Sequence, residues 1–274
     1  MSESKLTAAE KRVLAKHHVH GTLLRWLYRI LAPRHPRGWL DFHALTDETN
    51  PQLLCSVHCH GMARWKLPNI EIVNVPHDLG GYAHGIMFDI VGYMKNQREI
   101  KPDETLGGMF VSNQQVVPHR CSFRLVRLED EPREQEFLRV VDLDEPADSG
   151  FPKRLFAAHL LALAETTRDL AKRTSMLRRS VEIFPGEPNS GRDDESAAPE
   201  NPGNFFSWYS LGDALCDQGD VAEGLRCLRT AVAHWPCGGR KNAGIIVEAI
   251  RGGDLPSADN DPRSKFWSEI AARK

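Results

Sequence analysis

The sequence predicts an α+β protein: a mostly antiparallel sheet with one packed helix, followed by an α-helical hairpin module. Three observations predict it. Short runs rich in Val, Ile, Leu and Phe at 53–57, 70–75, 121–128 and 137–143 have strand length and composition. His77–Asn96 lies among them and is long enough for a helix. Beyond residue 152 the apolar residues recur at helical spacing, and Phe205–Pro236 reads as two helices flanking Asp217-Gln218-Gly219-Asp220.

The predicted organisation is an N-terminal amphipathic helix in 1–38, the α+β domain in 39–150, a helical hairpin in 151–185, a linker in 186–203 and a second hairpin with a capping helix in 204–274. A chain of 274 residues, 41% hydrophobic and 26% charged, fits an ordinary globular protein of one large or two small domains. A net charge of −2 argues against a general affinity for nucleic acid. Cysteines at 55, 59, 121, 216, 227 and 237 form no compact framework, which points to reduced thiols in the cytoplasm. With no run near the roughly 18 apolar residues of a membrane span, a membrane partner is not expected.

Thr7-Ala8-Ala9-Glu10 is a capping box opening a helix that should end near Leu31, before Pro33. Leu14, Leu23, Leu24, Leu27, Ile30 and Leu31 form its apolar stripe, expected to pack on the chain's own domain. Residues 1–40 carry eight basic side chains against Glu3 and Glu10, so docking on an anionic membrane is the alternative. His17, His18 and His20 are too close in sequence to share a helix face, so they are not a metal site.

In the middle of the chain, Pro68 and Pro76 bracket the strand Ile70–Val75. The helix that follows contains Gly80, Gly81, Gly85 and Gly92, which suggests close packing on a neighbour. Thr105–Ser112 reads as a strand, and the runs at 121–128 and 137–143 as a hairpin. His60-Gly61-Met62-Ala63-Arg64, Leu67-Pro68-Asn69-Ile70-Glu71-Ile72, Val75-Pro76 and Pro102–Gly107 resemble a bacterial domain family of unknown function. That resemblance implies no activity.

Cys55-Ser56-Val57-His58-Cys59-His60 holds four metal-ligand residues in six. On a strand, Cys55 and Cys59 face one side while His58 and His60 face the other. Two histidines on one face can hold zinc once a third ligand arrives, and His77 and His84 are the candidates. The ordinary role for such a pair is hydrogen bonding on a half-buried strand, and no cofactor is expected. No G-x-S-x-G or C-x-x-C is present, and Gly80-Gly81 and Gly107-Gly108 are isolated pairs.

From Pro152 to Phe184 the chain is helical in two pieces meeting near Thr166–Asp169. Residues 186–203 hold three glycines and three prolines with almost no apolar content, as a linker does. In Phe205–Pro236, Gly219 suits a helix end, and Asp220 with Glu223 suits a capping box. Past Pro236 a short helix at 242–250 and a last helix at 262–273 are predicted.

The spacing of Trp208, Leu211, Gly212, Leu215, Gly219, Gly224, Leu228, Ala231 and Pro236 resembles one tetratricopeptide repeat. Leu215 stands where the family prefers an aromatic and Gly224 where it prefers alanine. The resemblance implies binding of a protein or peptide through the first helix. There Phe206, Tyr209, Asp213 and Asp217 are left over from packing, an aromatic and acidic set suited to a basic or apolar partner segment. The expected function is a non-catalytic cytosolic interaction or scaffold protein. The alternatives are a metal-dependent, hydrolase-like enzyme centred on His58 and His60, and a membrane-peripheral factor docked by the basic N-terminal helix.

Overall fold

A computed structural model describes residues 26–27, 30–31, 40–46, 49–50, 52, 54–96, 100–107, 120–127, 136–142, 145–186, 203–256 and 260–273. The predicted capping box at Thr7, the linker and most of the N-terminal helix lie outside them. The described residues divide into two compact units, one up to Pro152 and one from Lys153 onward.

The first unit is a six-stranded sheet formed by β1 (Asp41–Thr46), β2 (Leu54–His60), β3 (Asn69–Val73), β4 (Thr105–Gly107), β5 (Arg120–Arg127) and β6 (Glu136–Asp142). Its order is β1-β2-β3-β6-β5-β4. It is thus two antiparallel meanders joined at one parallel pair, β3 with β6. The expected α+β class is what is found. One strand, β1, was not expected, and the expected strand at 105–112 is described only over Thr105–Gly107.

Helix α1 (Gly80–Asn96) follows a 3-10 turn at His77–Leu79. Phe88 and His84 of α1 meet Phe42 at ring-centroid distances of 4.4 and 5.6 Å, which identifies the sheet face that the helix covers. Register places Phe42 opposite Cys59, Val57 opposite Ile72, Ile70 opposite Leu138 and Phe123 opposite Val140 on that same face. All of these but Phe42 are buried, and so are Ile86, Met87, Ile90 and Val91 of the helix. Glycine permits close approach at Gly80, where a Cβ would lie 2.8 Å from a Leu54 methyl, but Gly81 and Gly92 face open space.

The opposite sheet face carries most of the unit's buried polar side chains. A row in register runs His43, His58, Glu71, Arg139 and Arg124 across β1, β2, β3, β6 and β5. Ser56, His58, Asn69, Glu71 and Ser122 on this face are all buried. Buried polar groups in such number need partners, and a face built this way is where function concentrates.

At the N-terminus, Trp26, Leu27, Ile30 and Leu31 are helical and exposed. The expected packing of the stripe on its own domain is therefore not seen at Leu27, Ile30 and Leu31.

The second unit contains α2 (Lys153–Thr166), α3 (Leu170–Ile183), α4 (Gly203–Asp217), α5 (Val221–His234), α6 (Pro236–Gly252) and α7 (Pro262–Ala271). They pair as three hairpins, and α4 packs on both α2 and α3, the way successive helical repeats stack. Asp169 caps α3 by accepting from Lys172 N at 3.0 Å. Ser180 on α3 donates to the Ala157 carbonyl of α2 at 2.8 Å and lies 3.0 Å from Ser207 of α4, which ties three helices at one buried point.

Between α4 and α5 the helices nearly touch. A Cβ on Gly212 would lie 2.7 Å from Leu228 Cγ, and one on Gly224 would lie 2.7 Å from the Gly212 carbonyl oxygen. Gly219 takes φ +89° at the turn, and Asp220 caps α5 through Glu223 N at 3.4 Å. The capping box is only half made, because the Glu223 carboxylate turns to Arg226 at 2.5 and 3.0 Å. Pro236 follows the end of α5 at His234 and is itself the first residue of α6, a 17-residue helix longer than expected. Near its start Gly239 lies close to α5, where a Cβ would come within 3.0 Å of a Val232 methyl.

Candidate functional site

Two places gather functional side chains, one in each unit. In the sheet unit, His43, His58 and His60 each point one nitrogen into a common space, with all three ligand atoms within 4.8 Å of one another. Strand geometry explains this. His58 and His60 are two apart on β2 and share a face, and His43 of the neighbouring strand is directly opposite His58. The His43 and His58 rings stack at 5.4 Å, and His60 meets both edge-on at 4.9 Å.

Behind them, Phe137 meets both His58 and His60 edge-to-face, with ring centroids 5.7 Å apart. Ser56 Oγ donates to Glu71 Oε1 at 3.3 Å and is 3.2 Å from His58 Nδ1. With its one proton committed to the carboxylate, the hydroxyl accepts from His58, which places the His58 proton on Nδ1 and its lone pair on Nε2. Glu71 is itself held by Arg139, whose Nη1 donates to the Ala147 carbonyl at 2.8 Å. Burial first, then His60 and His43, push the His58 imidazole down to about 3, so it is neutral at ordinary pH. Burial raises the Glu71 carboxyl, and Arg139 and Ser56 oppose the rise. His43 and His60 are half-buried, which leaves the cluster approachable from their side.

The expected third ligands are not there. The backbone of His77 donates to Gln52, just before β2 begins, whereas His60 ends it. The two are separated by the length of the strand, about 20 Å at 3.3 Å per residue. His84 is on α1 and meets Phe42, on the opposite face of the sheet. Cys59 also faces the helix side, where its sulfur accepts from Ile70 N at 3.4 Å. His43 went unnoticed in the sequence because β1 did; the alternation of Phe42 and Ala44 with His43 and Leu45 was its only signal.

In the helical unit, Leu211, Gly212, Leu215, Gly224, Leu228 and Ala231 are buried. Trp208 is half-buried and donates from Nε1 to the Pro185 carbonyl at 3.0 Å. The stripe expected to stand open is occupied. Arg263 of α7 is 2.7 Å from Asp217 Oδ1 and 3.6 Å from Asp213, and the Trp267 ring is 5.7 Å from that of Tyr209. Phe206 is turned away, with its ring 6.3 Å from Trp235. Phe266, Trp267 and Ile270 enter a core with Leu228 and Ala243, which explains why α7 covers the stripe. Burial, then Asp213, raises the Tyr209 phenol, and burial also raises the Asp213 carboxyl against the pull of Arg263.

Among the described residues no helix is long and apolar enough to cross a membrane. Compared with known proteins, the chain matches no family model, no curated sequence and no solved structure.

Proposed function

We propose that the chain is a cytosolic interaction protein whose helical unit recognises a short basic, aromatic helix. The observation that carries this is the seat of α7 on α4. Arg263 and Trp267 are four apart on α7; Asp217, Asp213 and Tyr209 are four apart in turn on α4. As α7 runs forward from Arg263 to Trp267, the residues it meets on α4 run backward from Asp217 to Tyr209. The chain's own helix thus displays the chemistry that the sequence assigns to a partner: a cation for the acidic pair and an apolar ring for the tyrosine. A partner of that pattern competes with α7 for the stripe. The likeness of the hairpin to a tetratricopeptide repeat supports the reading, as does the stacking of α4 on α2 and α3. Cys59, Cys121, Cys216 and Cys227 carry no disulfide, which suits a reducing compartment.

The test uses a labelled peptide of residues 261–273 and the full chain. Arg263→Glu weakens the internal seat, so this variant should bind the peptide more tightly than the parent does. Adding Asp213→Lys and Asp217→Lys should abolish that binding. Failure of the Arg263→Glu chain to bind the peptide at any concentration tested would sink the proposal.

A further inference from the structure

We propose that His43, His58 and His60 form a binding site for one divalent transition-metal ion of the zinc class, with a coordination position left open to water or an external ligand. The site belongs to the sheet unit and stands independently of partner recognition by the helices.

The donor set decides the class of ion. Three imidazoles suit zinc and its first-row neighbours, whereas calcium and magnesium require oxygen ligands. Zinc–nitrogen bonds of about 2.0–2.1 Å put tetrahedral ligands about 3.4 Å apart. The three ligand atoms already lie within 4.8 Å, so side-chain rotations of roughly an ångström close the site without moving the strands. Three protein ligands in place of four is the arrangement of zinc centres that keep a position for water or substrate. The half-buried His43 and His60 put that position on the approachable side, and Phe137 closes the other with an apolar edge.

The surroundings match what a metal-bound histidine needs. A ligating imidazole is oriented by a hydrogen bond from its other ring nitrogen to a carboxylate, carbonyl or hydroxyl. His58 has this in Ser56, which is held by Glu71, which is held in turn by Arg139. The chain of contacts fixes the tautomer that carries its lone pair on Nε2, the form a metal-binding imidazole needs. Ser56 and Glu71 are therefore positioning residues, acting through His58 and not on the ion. An ion bound here would carry a water of lowered pKa, the nucleophile of metal-assisted hydrolysis or hydration. The competing role for the cluster is a set of hydrogen bonds among the imidazoles themselves, which takes up no ion.

The experiment is a zinc titration of the untagged, chelator-stripped full chain against a competing chelator, paired with the visible spectrum of the cobalt-loaded protein. One equivalent should bind, and the cobalt form should show the intense bands of a four-coordinate site. His43→Ala and His60→Ala should each weaken binding about 100-fold or more, while His77→Ala and His84→Ala leave it unchanged. Ser56→Ala should weaken it about 10–100-fold, with recovery in Ser56→Thr. The parent's cobalt spectrum and stoichiometry report the site even where a variant folds poorly. No zinc uptake by the parent, or uptake that survives both His43→Ala and His60→Ala, overturns the proposal.

Discussion

Arg139 grips Glu71 with two nitrogens, Nε on Oε2 at 3.1 Å and Nη2 on Oε1 at 3.3 Å, across the parallel join of β3 and β6. Glu71 is 2% exposed, so its charge depends on this partner. Arg139→Ala should destabilise the sheet unit by about 3–5 kcal/mol, because it strands a buried carboxylate. Arg139→Lys should recover only part, since an ammonium cannot make the two-point contact. Urea denaturation followed by circular dichroism measures both; equal stability of the alanine variant and the parent would show that the pair carries no weight.

The α4–α5 contact predicts a steric asymmetry among glycines. Gly224→Ala has to push apart two backbones, for its Cβ would meet the Gly212 carbonyl at 2.7 Å. Overpacking of this kind costs about 1–3 kcal/mol. Gly219→Ala meets no atom within 4 Å but must hold φ near +89°, at a cost of about 1–2 kcal/mol. An asparagine tolerates the left-handed conformation and an enlarged Gly224 has no such remedy, so Gly219→Asn should restore most of the loss in a thermal melt.

Acid should loosen α7. Asp261 caps that helix by accepting from Arg263 N at 2.8 Å, and its bonds to the Arg263 side chain hold its carboxyl below the ordinary value. A depressed carboxyl contributes stability above its unfolded-state value, and the contribution fades as pH falls through the lower folded value. Asp213 has the opposite sign, because burial raises it; its contribution favours the fold in acid and is withdrawn as pH rises. The acid loss is therefore carried by Asp261. Trp267 fluorescence should report loosening below about pH 4 in the parent, with a flatter acid limb in Asp261→Asn.

The Arg263–Asp217 bridge should be specific but weak. Both side chains are partly exposed, at 27% and 43%, so a double-mutant cycle should give a coupling of about 0.2–1 kcal/mol that shrinks in high salt. A coupling that persists unchanged in molar salt would mean that the bridge is shielded from solvent.

Much of this was legible in sequence. Pattern alone located β2, β3, the β5–β6 hairpin and the α4–α5 turn, because each is written in neighbouring residues. The row from His43 to Arg124 was not, because it joins five strands whose order the local pattern does not contain. Glu71 and Arg139 are 68 residues apart and meet only because β6 returns beside β3. His43 was hidden by a six-residue strand with a weak alternation, and with it went the third corner of the histidine cluster. The α4 stripe was expected to stand open, and Arg263 and Trp267 of α7 lie against it. Nothing local says that residues about 46 positions later cover it.

The two-meander sheet also imposes an order of pairing. β1, β2 and β3 can pair as soon as they leave the ribosome, but the second neighbour of β3 is the last of the described strands to be made. Until then β3 is an open edge carrying Ile70 and Ile72, the kind of template on which nascent chains aggregate. Helix α1 is translated immediately afterwards and covers the face bearing those two isoleucines. Weakening the apolar face of that helix should therefore lower the yield of soluble protein before it alters the finished fold.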